Sequence, residues 1–278
     1  ENCHLGPGVD LKGGCAREDT IVESASVGPG AQIREGCLLE EQVHIAHCVG
    51  LKQTILFPFV TLGSLINFCD CLMAGGTSRQ NHSEVGSSYI HFNFTPDGEK
   101  TTASLIGDVP CGVMLNQPAI FLGGQGGMVG PLCVAYGTVV AAGSILRRDV
   151  LEENKLVVAA TPRSGTIDSV PRVYSGVTRV VEKNLRYLAH LTALDQWYEH
   201  VRRSFFDQED LGGFVFEGAR SRIRAAGLER LERIRTMSSH MVAALEGKEA
   251  GDRFASMKRA FHEHLDDLAA LFSEDEGA

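Results

Sequence analysis

Several features that would place this 278-residue chain in other classes of protein are missing from its sequence. No apolar run reaches the roughly 18 residues that suggest a membrane-spanning helix. The amino terminus shows no signal-peptide pattern, so we expect a cytoplasmic protein. Acidic residues outnumber basic ones by 35 to 26, with no dense block of lysine and arginine. This balance argues against nucleic acid or an anionic membrane as a partner.

Cysteine is missing from the second half of the chain, and no Cys-x-x-Cys pair occurs among the eight cysteines of the first half. Their scattered spacing indicates small apolar core residues rather than metal or redox chemistry. We therefore expect no metal in this region.

Apolar residues instead recur at every sixth position. A period of six fits neither an α-helix nor an alternating strand. It is typical of a hexapeptide solenoid, in which each face is one short strand with one inward side chain. We predict a mainly β fold, a parallel β-helix over residues 1–165. The two series are Val9, Cys15, Ile21, Val27, Ile33, Leu39, Ile45, Leu51 and Phe57, then Leu122, Met128, Val134, Val140 and Leu146.

The pattern changes after residue 176, where apolar residues recur three and four positions apart, as on one face of a helix. The spacing predicts helices over 177–201, 219–245 and 252–272. We expect a C-terminal helical domain over 166–278 that caps the open end of the β-helix or packs against neighbouring subunits.

The strict period is interrupted between residues 67 and 133, and the segment from 74 to 150 carries motifs in a characteristic order. These are Ala74-Gly75-Gly76, Glu84-Val85-Gly86, a polar loop from Asn93 to Lys100, Ile106-Gly107-Asp108 and Val140-Ala141-Ala142-Gly143. The order resembles that of the C-terminal domain of the bacterial bifunctional UDP-N-acetylglucosamine pyrophosphorylase/glucosamine-1-phosphate acetyltransferase family.

The resemblance implies a left-handed β-helix and a homotrimer with active sites between adjacent subunits. It also implies a sugar phosphate or UDP-sugar as substrate and acetyl-CoA as a possible co-substrate. Asn93 and Lys100 match the family's loop asparagine and lysine at the substrate site. An amide that orients a sugar and an ammonium that binds phosphate suit these roles. A lysine in a loop buries little apolar area, so we expect its truncation to leave folding almost unchanged.

Other site residues follow from the same loop and from the last coils. Asp97, in the Asn93–Lys100 loop, is assigned to substrate binding. Ala141 and Ala142, with Gly143 beside them, match the coil along which the pantetheine arm of acetyl-CoA runs. Arg163, near the end of the solenoid, is a candidate contact for a nucleotide phosphate.

The sequence departs from the family where the chemistry needs a base. Acetyl transfer requires removal of a proton from the acceptor nitrogen, and the family uses a histidine at the position of Gly76. His82 is the candidate replacement, and a neutral histidine is a suitable base near pH 7. His91 and Arg79, where the family has a tyrosine, are candidate contacts for an anionic sugar phosphate.

Three functions remain open. The first is a sugar-nucleotide-pathway transferase, of acyl or nucleotidyl transferase type, with His82, Asn93 and Lys100 as the catalytic set. The second is a non-catalytic domain that binds a sugar nucleotide or trimerises a larger protein. The third is a metalloprotein like the γ-class carbonic anhydrases, suggested by His44 and His47. The chain begins inside a repeat element, as a fragment of a longer protein would.

Overall fold

The computed structural model describes residues 2–93, 95, 100, 102–111, 116–159, 164–166, 168, 176–245 and 253–273. Short parallel strands fill the first 157 residues and stack in three columns, which we call faces 1, 2 and 3. The chain visits the faces in that order in each coil. The predicted fold class, a parallel β-helix followed by a helical region, is confirmed.

The strands of each face are hydrogen-bonded from one coil to the next. Face 1 holds β1 (His4–Leu5), β4 (Thr20–Ile21), β7 (Leu38–Leu39), the second halves of β9 (Gly50–Leu56) and β11 (Asn67–Met73), β16 (Ser104–Ile106) and β19 (Cys133–Val134). Face 2 holds β2 (Asp10–Leu11), β5 (Ser26–Val27), β8 (His44–Ile45), β10 (Thr61–Leu62), β14 (Glu84–Val85), β17 (Phe121–Leu122), β20 (Val139–Val140) and β22 (Leu156–Val157). Face 3 holds β3 (Cys15–Ala16), β6 (Gln32–Ile33), the first halves of β9 and β11, β15 (Ile90–His91), β18 (Gly127–Met128) and β21 (Ile145–Leu146).

One side chain of each strand points into the solenoid, as the period of six predicts, but the first coil is out of phase with the prediction. Ala16 pairs with Ile33 and Leu11 with Val27, so these two residues hold the inward positions assigned to Cys15 and Val9. Cys15 is exposed, and its predicted inward position is wrong. Two steps of five residues precede Ile21, and each moves the inward position by one residue.

The helices are α1 (Val177–Trp197), α2 (Arg203–Phe206), α3 (Gly212–Ala243), α4 (Arg253–Glu263) and α5 (Leu265–Ser273), with a π-helical turn at Tyr198–Arg202. The third predicted helix is therefore two helices. Strands end at Val157 and α1 begins at Val177, and most residues between them lie outside the description, so the boundary at 165/166 stays a prediction. No helix in the described ranges has both the length and the apolarity to span a bilayer.

The helical region lies along face 1 rather than over the open end of the solenoid. Helix α3 contacts β1, β4 and β7, and His190 of α1 accepts a hydrogen bond from the Val109 N–H beside β16. Face 1 has paired apolar residues, such as Leu38-Leu39, and both members are buried. Successive side chains of a strand point to opposite sides, so the outward member needs a cover of its own. The helices supply it, and the two regions share one hydrophobic core.

A buried polar contact joins the end of α1 to the corner after β7. The Tyr198 hydroxyl donates a hydrogen bond to Glu40, and Arg202 forms an ion pair with Glu41. Glu40 is 2% exposed, and burial raises its pKa to about 7, against the attraction of Arg202. Ionisation of Glu40 therefore opposes docking of the helices.

We expect Glu40→Gln to remove part of the pH dependence of stability. In wild type, Glu40 binds its proton more tightly in the folded protein than in the unfolded chain, where its pKa is about 4.3. The stability that this tighter proton binding gives to the folded protein is fully present below the pKa of the unfolded chain. It is lost as the pH rises to about 7, the pKa in the folded protein. The free energy of unfolding of Glu40→Gln relative to wild type should therefore rise between pH 5 and pH 8, by on the order of 2 kcal/mol.

Urea unfolding at pH 5, 6, 7 and 8 measures this difference, and the comparison across pH cancels any fixed cost of the glutamine. Glu232→Gln, on an exposed position of α3, is the control and should show no such trend. A constant difference for Glu40→Gln would contradict the prediction.

Candidate functional site

The residues assigned to the site lie at three different corners of the triangular solenoid. We name each corner by the two faces that it joins. Arg79 and His82 lie at corner 1–2, between Met73 of β11 and Glu84 of β14. His91, Asn93 and Lys100 lie at or beside corner 3–1, and Ala141, Ala142 and Gly143 lie at corner 2–3. Within one chain, the structure does not bring these three groups together.

Corner 3–1 contains an imidazole in the apolar interior. His91 holds the inward position of β15, in register with Phe68 and Met128, and is fully buried. Its Nδ1 bonds the Met128 carbonyl oxygen at 3.1 Å, whereas Nε2 is buried and has no well-aligned hydrogen-bond partner among the described residues, although the Asp70 backbone lies close to the ring. A carbonyl only accepts, so Nδ1 carries the proton, and Nε2 keeps its lone pair. Burial lowers the pKa of His91, which favours this neutral form.

Asn93 and Thr102 form the base of the loop that leaves this corner. The Asn93 amide nitrogen donates to the Thr102 carbonyl, but Asn93 Oδ1 and Thr102 Oγ1 are buried with no partner in the described part of the chain. Gly130 faces them: a Cβ there would lie 2.3 Å from Asn93 Oδ1 and 2.8 Å from His91 Cε1. The lack of a side chain at position 130 leaves room for this cluster of buried polar groups.

Lys100 returns from the loop to the coil below it. Its Nζ lies 2.9 Å from Oδ1 of Asp70, which sits in the middle of β11. The Lys100 side chain is 15% exposed and that of Asp70 only 3%. Lys100 is therefore half of a largely buried ion pair, which contradicts the premise of a solvated loop lysine. We now expect its truncation to destabilise the protein, because Asp70 would keep a buried charge without a partner.

At corner 1–2, a hairpin of β12 (Gly76–Ser78) and β13 (Asn81–His82) projects from the solenoid. Arg79, at its tip, donates to the carbonyl oxygens of Gln42 at 2.9 Å and Phe59 at 2.8 Å, and to Thr61 Oγ1 at 2.7 Å. The guanidinium holds the hairpin against the two preceding coils. Its assignment to substrate binding stays a prediction.

His82 is paired with Gly76 across the hairpin. A Cβ at position 76 would lie 2.6 Å from the Cβ of His82 and 2.4 Å from the Asn81 carbonyl oxygen. His82 thus fills the space into which a side chain from position 76 would extend. Its Nδ1 is buried without a hydrogen-bond partner among the described residues.

Corner 2–3 has a tight backbone and few polar side chains. Ala142 and Gly143 are exposed, and the Gly143 N–H donates to the Gly124 carbonyl at 2.9 Å. A Cβ at Gly123 would lie 2.4 Å from the Ala142 nitrogen, so the coils stack too closely for a side chain. Two further predicted residues, Asp97 and Arg163, lie outside the described residues.

The histidines of the carbonic anhydrase alternative bond to serines. His44 Nδ1 lies 2.7 Å from Ser26 Oγ, and His47 Nδ1 lies 2.7 Å from Ser64 Oγ. Across the described part of the chain, no three His, Cys, Asp or Glu side chains group closely enough to hold a metal ion.

Sequence reasoning missed Asp70, Thr102 and Gly130 as members of the corner 3–1 cluster. Asp70 could have been found, because it is the one charged residue in the otherwise apolar stretch 68–73. Nothing in the sequence around Thr102 or Gly130 sets these residues apart in the same way, and only the stacking of coils places them beside Asn93.

We expect Lys100→Met to destabilise the protein by about 3–5 kcal/mol, the range for an ion pair broken on one side in the interior. Adding Asp70→Asn should recover at least about 1 kcal/mol of this loss, because the uncompensated charge is then gone. Lys52→Met is the matched control: its partner Glu35 lies at the same corner but is 42% exposed, and we expect a cost below about 1 kcal/mol. Urea unfolding at pH 7 gives all three values, and equal costs for Lys100→Met and Lys52→Met would contradict this account.

No family model matches the chain. Two curated relatives are each named bifunctional protein GlmU. The protein of Acinetobacter baumannii (strain AYE) is 29% identical over 171 residues, which cover 55% of this chain and 34% of the relative. The protein of Stenotrophomonas maltophilia (strain K279a) is 30% identical over 173 residues, which cover 62% of this chain and 34% of the relative. The chain thus spans about a third of the length of these relatives.

Two solved structures give weaker matches. The acetyltransferase domain of PglB from Neisseria gonorrhoeae FA1090 has 12% identity and a TM-score of 0.18, covering 56% of this chain and 50% of that one. The polysialic acid O-acetyltransferase OatWY has 13% identity and a TM-score of 0.22, and the match covers 63% of this chain and 96% of that one. The sequence matches are the informative ones: this chain is a divergent relative of the GlmU proteins, as its motif order predicts.

Proposed function

We propose that this protein is a transferase that moves an acetyl group from acetyl-CoA to a hexosamine phosphate or UDP-sugar, at sites formed between copies in a homotrimer. The observation that carries the proposal is the buried polar cluster of His91, Asn93 and Thr102, at the base of the loop that matches the family's substrate loop. Unpartnered polar groups cost stability in an apolar solenoid, and binding of a polar ligand is a reason to keep them.

The helices on face 1 restrict how copies of this chain can meet. With face 1 covered, faces 2 and 3 are left for contacts between solenoids. A cyclic trimer uses two different surfaces of each copy, so face 2 of one copy would lie opposite face 3 of the next. Corner 2–3 then lies nearest the threefold axis. The corners of a triangle are too sharp for three copies to close face to face around an axis, so the two faces form a groove that opens outward, with corner 1–2 of one copy and corner 3–1 of its neighbour at its two rims.

This arrangement would place two of the three separated groups of residues on opposite sides of one groove between neighbouring copies. The hairpin with Arg79 and His82 leads into β14, and the loop of Asn93 and Lys100 leaves after β15, so both belong to one coil. A threefold axis parallel to the solenoid relates each coil of one copy to the same coil of the next, at the same height along the axis. His82 of one copy would then face Asn93 of the next.

The outward surfaces of faces 2 and 3 suit such a contact. On face 2, Phe121, Val139 and Leu156 lie in register and are 39%, 41% and 71% exposed. On face 3, Ile90 and Ile145 flank Gly127 in the same way and are 54% and 45% exposed. Exposed apolar patches on soluble proteins mark interaction surfaces.

The proposed step forms a bond between the amine nitrogen of the sugar and the carbonyl carbon of the thioester, and breaks the carbon–sulfur bond of acetyl-CoA. His82 takes the proton lost by the nitrogen, and the CoA thiolate leaves. The Asn93 amide oxygen has no hydrogen-bond partner among the described residues and would accept a hydrogen bond from the substrate. Lys100 and Asp70 hold the loop, and the exposed Arg147 and Arg148, two coils on at the same corner, supply cations for phosphate.

A test by complementation separates a shared site from a site within one chain. His82→Ala and Asn93→Ala should each lose most acetyl transfer from acetyl-CoA to glucosamine 1-phosphate. Mixed trimers, refolded from equal amounts of both variants, should regain about a quarter of wild-type activity, because one interface in four pairs an intact His82 with an intact Asn93. Refolded wild type is the control for recovery.

Two outcomes would contradict the proposal in different ways. If mixed samples stay inactive while wild type is active, the site does not join these corners. If wild type itself transfers no acetyl group to the sugar phosphate, the transferase proposal fails and a non-catalytic domain becomes the favoured function. The glycine at position 76, where the family has its histidine, favours that second candidate function, a sugar-nucleotide-binding domain.

A further inference from the structure

A cavity of about 330 Å³ lies between α1 and the last coils of face 1, close to corner 1–2. It is separate from the polar cluster at corner 3–1. Charged and polar groups line it: Asp108, Cys133, Tyr136, Glu153, Arg186 and His190. The helices cover the early coils of face 1 tightly, with Thr20 and Leu38 fully buried, so an open space on the late coils is a local feature.

The floor of this cavity is held in place by hydrogen bonds. The Tyr136 hydroxyl donates to the Asp108 carbonyl oxygen at 2.5 Å and accepts from the Asp108 N–H at 3.1 Å. The Asp108 carboxylate accepts from the Cys111 N–H at 2.7 Å. A ligand would therefore meet positioned groups, which lowers the entropic cost of binding.

His190 offers a hydrogen-bond donor of known tautomer. Its Nδ1 accepts from the Val109 N–H at 3.1 Å, so in the neutral ring the proton is on Nε2. Burial lowers the pKa of His190, against the opposing effect of Asp108, and favours the neutral form.

Arg186 offers a positive charge that forms no ion pair within the described part of the chain. Lys183, one turn earlier on α1, is paired with Asp149 at 2.5 Å. Arg186 contacts the Cys133 sulfur at 3.8 Å, and no carboxylate among the described residues lies within ion-pair distance of its guanidinium. An arginine fork without a carboxylate suits phosphate, which it can bind through two hydrogen bonds.

We propose that this cavity binds a sugar phosphate. Arg186 and the His190 N–H bind the phosphate, whereas the carboxylates of Asp108 and Glu153 accept hydrogen bonds from sugar hydroxyls. Aliphatic walls that include Leu105 and Leu151 contact the sugar ring. The volume lies at the lower end of the range of about 300–1,000 Å³ for small-molecule sites, which suits one monosaccharide. This site does not depend on the proposed transfer reaction.

Cys133 provides a local readout, because its sulfur lies in the cavity wall. We would measure its alkylation by iodoacetamide, residue by residue by mass spectrometry, with and without glucosamine 1-phosphate. The exposed Cys15 and Cys48, on the early coils, are internal references. We expect the ligand to slow alkylation of Cys133 at least fivefold and to leave the two references unchanged. Equal rates at Cys133 with and without ligand would overturn the proposal.

Variants assign the effect to the named groups. Arg186→Met should abolish protection of Cys133, and Arg179→Met, an exposed arginine on the same helix, should retain it. Each ratio is taken within one variant, so a change in the intrinsic reactivity of Cys133 cancels. Protection that survives in Arg186→Met would contradict the phosphate contact.

Inorganic phosphate is the second probe. It should protect Cys133 more weakly than glucosamine 1-phosphate, and Asp108→Asn should weaken protection by the sugar phosphate but not by phosphate. Equal protection by both probes would overturn the recognition of the sugar. Protection by the sugar phosphate in a protein without acetyl transfer would leave this site standing while the transferase proposal fails.

Discussion

The structure depends on the burial of face 1 from both sides. Inside the solenoid, the inward side chains of face 1 pack against those of faces 2 and 3. Outside it, Leu38, Ile55, Leu72 and Leu105 are buried beneath helices. A β-helix with three solvated faces needs one apolar residue per strand, whereas a face covered by helices needs two. This requirement orders α1 along the coils, and the solenoid and the helices share a hydrophobic core, beside a smaller apolar cluster among the helices.

The covered face also bears on where the two proposed binding sites lie. Helix α1 and the π-helical turn after it run along the coils: Lys183 lies beside Asp149, His190 beside Val109, and Tyr198 beside Glu40. Where its contact with face 1 is tight, the space is filled. On the late coils, a cavity with charged walls remains between them. The described helices leave faces 2 and 3 uncovered, as the proposed site between chains requires.

Buried polar groups at corner 3–1 work against the stability of the solenoid. His91 occupies a position that is apolar in the neighbouring coils, where Phe68 and Met128 precede and follow it. The buried pair of Lys100 and Asp70 adds two charges to the same corner. Such groups carry a desolvation cost that an aliphatic side chain would avoid. Their concentration at the base of one loop is the physical reason for placing a binding site there.

The sequence by itself determined the parallel β-helix, the start of the helical region and the relation to the GlmU proteins. A period of six repeated over many strands has one structural solution, and short steps of five residues displace it only locally, as at Ala16. The motif order identified the corner 3–1 loop through Asn93 and Lys100. Other features depend on the tertiary structure: the ion pair of Lys100 with Asp70, the hydrogen bonds of Arg79 to the two preceding coils, and the packing of helices on face 1. These contacts join residues far apart in the chain, and a periodic pattern specifies which side chains point inward but not which distant element covers those that point out.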